Sequence, residues 1–408
     1  MRYLCFICQL SNEAIINNNM ERLLNFTDFI AESNSIYLLD AETKSKLLYL
    51  DEKYHKLIEK FRNKYVAKTV NNIKEEFKKF MSAHELGQKY YPQLDMDDTD
   101  VDMKLYEDMK KLRDEFNDIT RDCYIAKFYI EKLDAMMSSI KTREELENGT
   151  YEPGENPIDK ELYQEALEVI KNNPYKKPDF KKDRTKDSEE CLEAIEDALD
   201  ELGYDFDVQI DNGMLPRMNV KMGKVNINKT SKFSDEDIEG LIAHEIRGHC
   251  SRRHYGMKTG LWLLAYGTQS SSTYDEGLAV WNSLNLVKHK KDNIMFNIAM
   301  KTCVSYLMFE MDFCDLFDWV KKHAPGMTDY TAFKTVMRPR RRNKDCSIMS
   351  GEPMTTYFLG YKLVNDMDDK MRDDITHYNI GPDQLFELEN IKEFLKVNHF
   401  KPVKIKGD

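Results

Sequence analysis

The sequence has no apolar run near the ~20 residues that a membrane-spanning helix requires. It has no excess of positive charge either. Its formal net charge of −12 disfavours a general nucleic-acid binder that depends on phosphate contacts. Its eight cysteines are scattered along 408 residues and do not form the dense framework of a small secreted domain. These absences predict a cytoplasmic protein in a reduced compartment, with neither a membrane nor a nucleic acid as partner.

Glycine and proline are nearly absent from residues 19–146, which contain one of each. Apolar residues recur in this stretch at spacings of three and four, which is the period of amphipathic helices. A stretch that is richer in glycine and proline follows at 147–184 and marks a boundary. We therefore predict a helical N-terminal region at 1–150 and a second domain at 151–408.

The hydrophobic period then changes from helical to alternating. Alternation within Phe206–Ile210, Arg217–Met222 and Lys224–Asn228 predicts three short strands. We expect these strands to form a small antiparallel sheet directly before a helix. That helix begins after Ser234, a good N-cap residue followed by an acidic first turn. The fold class predicted for the whole chain is therefore α+β and mostly helical.

The helix after Ser234 carries the segment His244-Glu245-Ile-Arg-Gly-His249. Two histidines around a glutamate are typical of helices that bind zinc beside a catalytic base, but the usual spacing is four residues. With five, a regular α-helix separates His244 and His249 by about 140°, too far apart to share one tetrahedral ion. Either the motif is accidental, or the helix accommodates the extra residue in a π-bulge, for which Gly248 is a natural place.

A third ligand is expected from a later helix, because zinc-peptidase sites use three protein ligands and one open position. Asp275 and Glu276 lie at the head of a segment with helical spacing, and both qualify by residue type. An acidic first turn favoured by the helix dipole is the ordinary alternative. His254 is a rival ligand, but the glycine that precedes such a third histidine in other zinc peptidases is missing.

These residues together resemble a known family. The pattern His-Glu-x-x-x-His, then Arg252, then Asp-Glu-Gly-Leu-Ala is similar to the metallopeptidase family that includes the microtubule-associated tyrosine carboxypeptidases. The similarity extends upstream through Val225–Asn228 and downstream to Tyr357–Gly360. It covers about residues 160–364.

The resemblance implies a zinc-peptidase-like domain with one zinc ion. In this sequence His244, His249 and Glu276 are the implied metal ligands, and Glu245 is the implied general base. Zinc lowers the pKa of a bound water towards about 7, and an adjacent glutamate can accept the proton of that water. The family also makes a cytoskeletal or another protein a candidate partner of the helical N-terminal region.

The chain departs from the family's pattern where a substrate would lie. Arg247-Gly248 stands where the family has Gly-Thr, and Pro339–Arg341 replace glycines beside Arg338. Because these differences lie where a substrate would bind, substrate preference transfers from the family less directly than the catalytic chemistry does.

Several residues are candidates for contacting a substrate. Tyr357 and Arg338 are candidate donors to the oxyanion that forms during peptide hydrolysis. The strand Lys224–Asn228 can pair with an extended substrate if it lies at an edge of the sheet. An arginine fork suits a terminal carboxylate, although a solvated basic loop is the ordinary reading of these arginines. The candidate substrate-binding residues are Lys224, Asn226, Arg340 and Arg341, with Arg338 a further candidate for the carboxylate.

We therefore interpret the sequence as that of a zinc-dependent carboxypeptidase that removes a C-terminal residue, of tyrosine type in the resembled family, from a protein or peptide. A binding or scaffold protein with a structural or vestigial metal site is the alternative from another class. A zinc endopeptidase is a variant of the first. The intact Glu245 favours an enzyme, because a structural zinc site needs no base.

Overall fold

The structure is a computed structural model that describes residues 37–65, 70–95, 100–152, 154–177, 184–212, 214, 216–287, 291–340, 346 and 354–405. These residues form mainly helices and one three-stranded sheet, which confirms the predicted α+β, mostly helical fold class. No helix within these ranges is long and apolar enough to cross a membrane.

The part of residues 1–150 that the structure describes is helical. Each helix buries an apolar stripe at the spacing seen in the sequence, as Leu47, Leu50 and Tyr54 show in the first helix. The helices that precede the sheet are α1 Ala41–Tyr65, α2 Ile73–Glu85, α3 Met103–Asn117, α4 Ala126–Asn148, α5 Lys160–Asn172 and α6 Ser188–Leu202.

The helices after the sheet begin with one long helical segment. It comprises α7 Asp235–Leu241, a π-helix at Ile242–Cys250 and α8 Ser251–Lys258. The elements that follow are α9 Trp262–Tyr266, α10 Ser271–Asn285, α11 Lys291–Leu307, α12 Phe313–His323, α13 Asp329–Arg340, α14 Thr356–Asn365, α15 Asp369–Tyr378, a 3₁₀-helix Pro382–Glu387 and α16 Leu388–Asn398.

The three predicted strands are present as β1 Asp207–Asp211, β2 Met218–Lys221 and β3 Lys224–Asn228. Their order is β1-β3-β2, and β3 pairs antiparallel with β2 but parallel with β1. The prediction of a purely antiparallel sheet is therefore wrong. A two-residue turn with Gly223 at φ 68° joins β2 to β3, so only this pair is a hairpin, and β3 lies between the other two strands.

Two hydrophobic cores form the interior. The first core joins α1 and α4 of the N-terminal region to the sheet and the π-helix, and it includes Tyr54, Tyr129 and Ile246. The second core joins α2 and α5 to the helices from α11 to α14. Helix α10 contributes Leu278 to the first core and Val280 to the second, so it lies between them. The division at residue 150 stays a prediction, and both cores contain residues from either side of it.

Asp51 of α1 links the N-terminal helices to the rest of the chain. Its buried carboxylate accepts hydrogen bonds from the Tyr129 hydroxyl (2.6 Å) and from the backbone N–H groups of Trp262 (2.9 Å) and Leu263 (3.3 Å). The last two donors belong to the first turn of α9, which has no side-chain cap of its own. Burial raises the pKa of Asp51 to about 7, although these hydrogen bonds oppose the shift.

The raised pKa of Asp51 makes stability depend on pH. Because this pKa is higher in the folded chain than the ~3.9 of an unfolded aspartate, the stabilisation is complete below about pH 4 and is lost as pH rises through about 7. We expect the free energy of unfolding, from urea titrations at about pH 5 and about pH 8, to fall less with pH in Asp51→Asn than in the wild type. The exposed Asp122→Asn variant is the control and should keep the wild-type slope. Equal slopes in all three proteins would contradict this prediction.

Candidate metal centre

The long helix that contains the motif starts at a well-capped end. Ser234 accepts a hydrogen bond from the backbone of Asp237, whose side chain in turn accepts one from the backbone of Ser234. The helix then changes from α to π hydrogen bonding over Ile242–Cys250. In a π-helix each N–H bonds to the carbonyl five residues earlier, so residues five apart lie on the same face. The π distortion that the spacing of His244 and His249 requires is therefore present.

His244, His249 and Glu276 form a cluster whose potential ligand atoms all lie within 4.8 Å of one another. The Glu276 Oε2 atom lies 4.0 Å from Nε2 of each histidine. This atom is buried and has no hydrogen-bond partner among the described residues. Two ligand atoms that are each about 2 Å from one zinc ion are at most about 4 Å apart, so the two distances between Glu276 and the histidines fit a metal site.

Close packing holds the helix of Glu276 against the motif helix. A Cβ atom on Gly248 would lie 2.9 Å from Cα of Ala279 in α10, so only a glycine permits this approach. The fully buried Arg252 donates hydrogen bonds to the carbonyls of Ser271 (2.9 Å) and Ile380 (2.7 Å). Arg252, which is part of the sequence pattern, therefore fixes the start of α10 and with it the position of Glu276.

Each histidine has a partner on its second ring nitrogen. His249 Nδ1 lies 2.9 Å from the carboxylate of Asp275, and His244 Nδ1 lies 3.3 Å from the Ser283 hydroxyl. Burial disfavours the charged form of His249, but Asp275, together with Glu276 and Glu245, outweighs burial and raises the pKa of His249 to about 9. Burial lowers the pKa of His244 to about 3. Asp275, one of the two acidic candidates for third ligand, is thus placed to orient His249 rather than to join the cluster.

Glu245 lies on the motif helix between the two histidines. Burial raises the pKa of its carboxyl to about 7, and the negative charge of Glu276 contributes in the same direction. A carboxyl group with such a pKa can both accept and return a proton near neutral pH.

Tyr357 reaches the cluster through a close crossing of α14 and α10. A Cβ atom on Gly360 would overlap the carbonyl oxygen of Thr273, and one on Gly277 would overlap the backbone of Gly360. This approach brings Tyr357 close enough to Glu276 for the charge of that carboxylate to act on the Tyr357 hydroxyl. Burial raises the pKa of Tyr357, and the Glu276 charge adds to the increase, so the hydroxyl keeps its proton.

Two cations lie near Tyr357. The Lys301 ammonium of α11 is 3.4 Å from the centroid of the Tyr357 ring. Burial lowers the pKa of Lys301 to about 7, and the nearby charge of Arg338 lowers it further, while Glu276 acts in the opposite direction. Arg338 itself is exposed to solvent.

The proposed pairing of an extended substrate with Lys224–Asn228 is wrong, because both sides of this strand are occupied by β1 and β2. Asn226 is buried and bonds to the side chains of Gln209 (2.6 Å) and Asn219 (2.8 Å). Lys224 lies at the start of this central strand, so its backbone has no free strand edge with which a substrate could pair.

The prediction that Arg340 binds a substrate is also wrong. Its guanidinium is fully buried and donates to the backbone carbonyls of Cys346 (3.0 Å), Met311 (2.5 Å) and Met308 (3.3 Å), so it stabilises the second core instead of binding a carboxylate. Arg341 lies outside the described residues. His254 packs against Tyr204 at 4.6 Å between ring centroids and is not part of the ligand cluster.

Sequence reasoning missed Lys301. The stretch Ile294–Val320 reads as plain hydrophobic core, and the lysine within it was the available signal. It also missed Arg62 and Lys132 of the N-terminal helices, whose charges act on each other and on Asp275. The helical N-terminal region therefore contributes to the electrostatics of the site.

Comparison with known families gives a match over most of the chain. Residues 77–342, more than half of the chain, match the model of a family described as microtubule-associated tyrosine carboxypeptidase. The match begins within the N-terminal helices and ends before Tyr357. No curated protein matches the chain. A carboxypeptidase-type function is what this family implies, and the chain belongs to the microtubule-associated tyrosine carboxypeptidase family.

Proposed function

We propose that this chain is a zinc-dependent carboxypeptidase that removes the C-terminal residue, of tyrosine type in keeping with its family, from a protein or peptide. The observation that carries the proposal is the cluster of His244, His249 and Glu276 beside the intact Glu245. A structural or vestigial metal site would not need Glu245.

The residues present suit one zinc ion. Two imidazoles and one carboxylate are a common donor set of catalytic zinc, with a fourth position left for water. The buried Glu276 Oε2 without a hydrogen-bond partner is a further sign, because such an atom is costly unless a cation or a donor satisfies it. A zinc ion bound there would supply an activated water and would polarise the scissile carbonyl.

Glu245 is the proposed general base. Its carboxylate would accept the proton of the attacking water and later transfer it to the leaving amine. Asp275 would hold His249 in the orientation and tautomer that ligation needs, as outer carboxylates do in other metal sites.

Tyr357 is the proposed donor to the oxyanion. Its hydroxyl keeps its proton and lies beside the Glu276 carboxylate, so it is close to the place where the scissile carbonyl would develop negative charge. Arg338, exposed and near Lys301, is the proposed second cation at the mouth of the site.

The family description supports a protein as substrate. We propose a cytoskeletal or another protein partner that contacts the N-terminal helices, and a cytoplasmic location. Leu48 and Tyr49 of α1 expose large apolar surfaces and are candidate contact residues.

The experiment that tests the function compares wild type with Glu245→Gln. Each protein is assayed for metal content and is incubated with a library of peptides with free C-termini, which is then analysed by mass spectrometry. We expect about one zinc in both proteins, and C-terminal trimming that falls by about 10²–10⁴-fold in Glu245→Gln. Zinc without trimming in the wild type would favour a binding protein, and internal cleavage would favour an endopeptidase. Absence of zinc in metal-replete protein would refute the site.

A further inference from the structure

Lys301 is a partly buried basic side chain that lacks a dedicated anionic partner among the described residues. Its ammonium forms no hydrogen bond and no ion pair with any residue that the structure describes, and its close neighbour is the face of the Tyr357 ring. The negative charge that acts on it is that of Glu276. A cation removed from water without a counter-ion is unfavourable, so a ligand that supplies an anion gains affinity there.

Glu276 is not free to be this counter-ion. Its Oε2 atom faces Nε2 of both histidines at 4.0 Å, so its charge is committed to the metal cluster. Arg338 adds a second positive charge near Lys301 instead of compensating the first. Neither cation has an ion pair among the residues described, so the two form a pair of unneutralised charges beside the cluster.

Lys301 and Arg338 lie where the terminal carboxylate of a substrate would be. In a carboxypeptidase the terminal carboxylate is one residue beyond the scissile carbonyl, and consecutive Cα atoms are about 3.8 Å apart. The group that binds this carboxylate must therefore be adjacent to the metal ligands. Lys301 satisfies this requirement, because its ammonium lies 3.4 Å from the centroid of the Tyr357 ring, and the helix of Tyr357 crosses that of Glu276 where Gly360 meets Gly277.

We propose that Lys301, assisted by Arg338, binds the C-terminal carboxylate of the substrate and so restricts the site to the last residue of a chain. This inference rests on the proposed function and adds a residue that the sequence did not reveal. Arg340 is committed to backbone carbonyls and Lys224 to the central strand, so Lys301 replaces them as the specificity residue. The face of the Tyr357 ring would hold the ammonium in position between the carboxylate and the cluster.

The test measures binding, so that it does not depend on turnover. The protein carries Glu245→Gln to prevent cleavage, and the probes are two nonapeptide libraries that end in tyrosine. The libraries are identical except that one has free carboxyl termini and the other has terminal amides. Immobilised protein is incubated with a mixture of both, and mass spectrometry gives the ratio of acid to amide retained.

We expect the Glu245→Gln protein to retain the acid over the amide by at least about tenfold, because a hydrogen bond to a charged group contributes about 10- to 100-fold in binding. Adding Lys301→Met should reduce this ratio by about tenfold or more, and Lys301→Arg should restore part of it. Lys258→Met is the matched control and should leave the ratio unchanged, because Lys258 also lies over a tyrosine ring, that of Tyr255, in a groove away from the cluster.

An unchanged ratio in Lys301→Met, or no preference for the acid in the starting protein, would overturn the proposal. If Lys301→Met reduced the retention of the acid and amide libraries equally, Lys301 would act on the metal cluster instead, and the proposal would also be overturned. Failure of the proposed function looks different: the wild type would trim no peptide, while the acid preference and its dependence on Lys301 would still be measured.

Discussion

Glu276→Ala should abolish metal binding and with it peptidase activity. Structural zinc sites bind with about 10–16 kcal/mol, so the loss of one of three protein ligands should weaken binding by several kcal/mol, a factor of at least about 10³. The remaining pair, His244 and His249, has no further described acidic group within the cluster. We expect metal analysis after dialysis to give about one zinc per wild-type chain and almost none in the variant.

Asp275→Asn should weaken zinc binding less than Glu276→Ala does, so it serves as the comparison for this experiment. Removing the charge that orients His249 should weaken zinc binding by about 10- to 100-fold, measured by competition with a chelator. Asp318→Asn is the matched control, because Asp318 forms a similar contact of 2.8 Å with His84 far along the chain from the cluster. Retention of a full zinc ion by Glu276→Ala together with loss in Asp275→Asn would make Asp275 the third ligand and would refute our assignment.

Gly360→Val should reduce peptidase activity by about 10²-fold. The new side chain would overlap the backbone of Thr273 and Gly277, so α14 would have to move away from α10. Overpacking of this kind costs about 1–3 kcal/mol of stability, and a displacement of about 1 Å at a catalytic group can reduce the rate about 10²-fold. We expect a lower melting temperature and a loss of trimming well beyond what the change in stability explains.

Gly240→Ala is the control for that variant. A Cβ atom on Gly240 meets nothing within 4 Å, and alanine is the better helix former, so this protein should be at least as stable as the wild type. A fully active Gly360→Val protein with an unchanged melting temperature would show that the crossing does not position Tyr357.

The sequence was sufficient for features that residue type and spacing encode directly. The strands near the motif were predicted to within about a residue of their ends, because alternation in Lys224–Asn228 is a local signal. The N-cap at Ser234 is local for the same reason. The spacing of His244 and His249 even required a π distortion, because no regular helix brings both imidazoles to one ion.

Other features depend on the path of the chain, which local patterns do not encode. In the order β1-β3-β2, the first strand lies beside the third and not beside the second, so the central place of Lys224–Asn228 was not predictable from local patterns. Arg340 lies in a run of arginines that reads as exposed, yet it donates to the carbonyls of Met308 and Met311, earlier in the chain, and to that of Cys346, six residues further on. Lys301 was hidden in an apolar helix, and the role of Gly360 exists only where two helices cross.

The π-helix at Ile242–Cys250 has a consequence for the history of the site. A π turn holds one residue more than an α turn, so the extra residue is absorbed between the histidines while the helix on either side keeps its neighbours. Removing one residue there would give the common four-residue spacing between the histidines. Arg252, which follows the second histidine, would stay on the same side of the helix. The five-residue spacing of this chain is therefore one residue, and so one codon, longer than the common four-residue spacing, and the π-helix accommodates the difference locally.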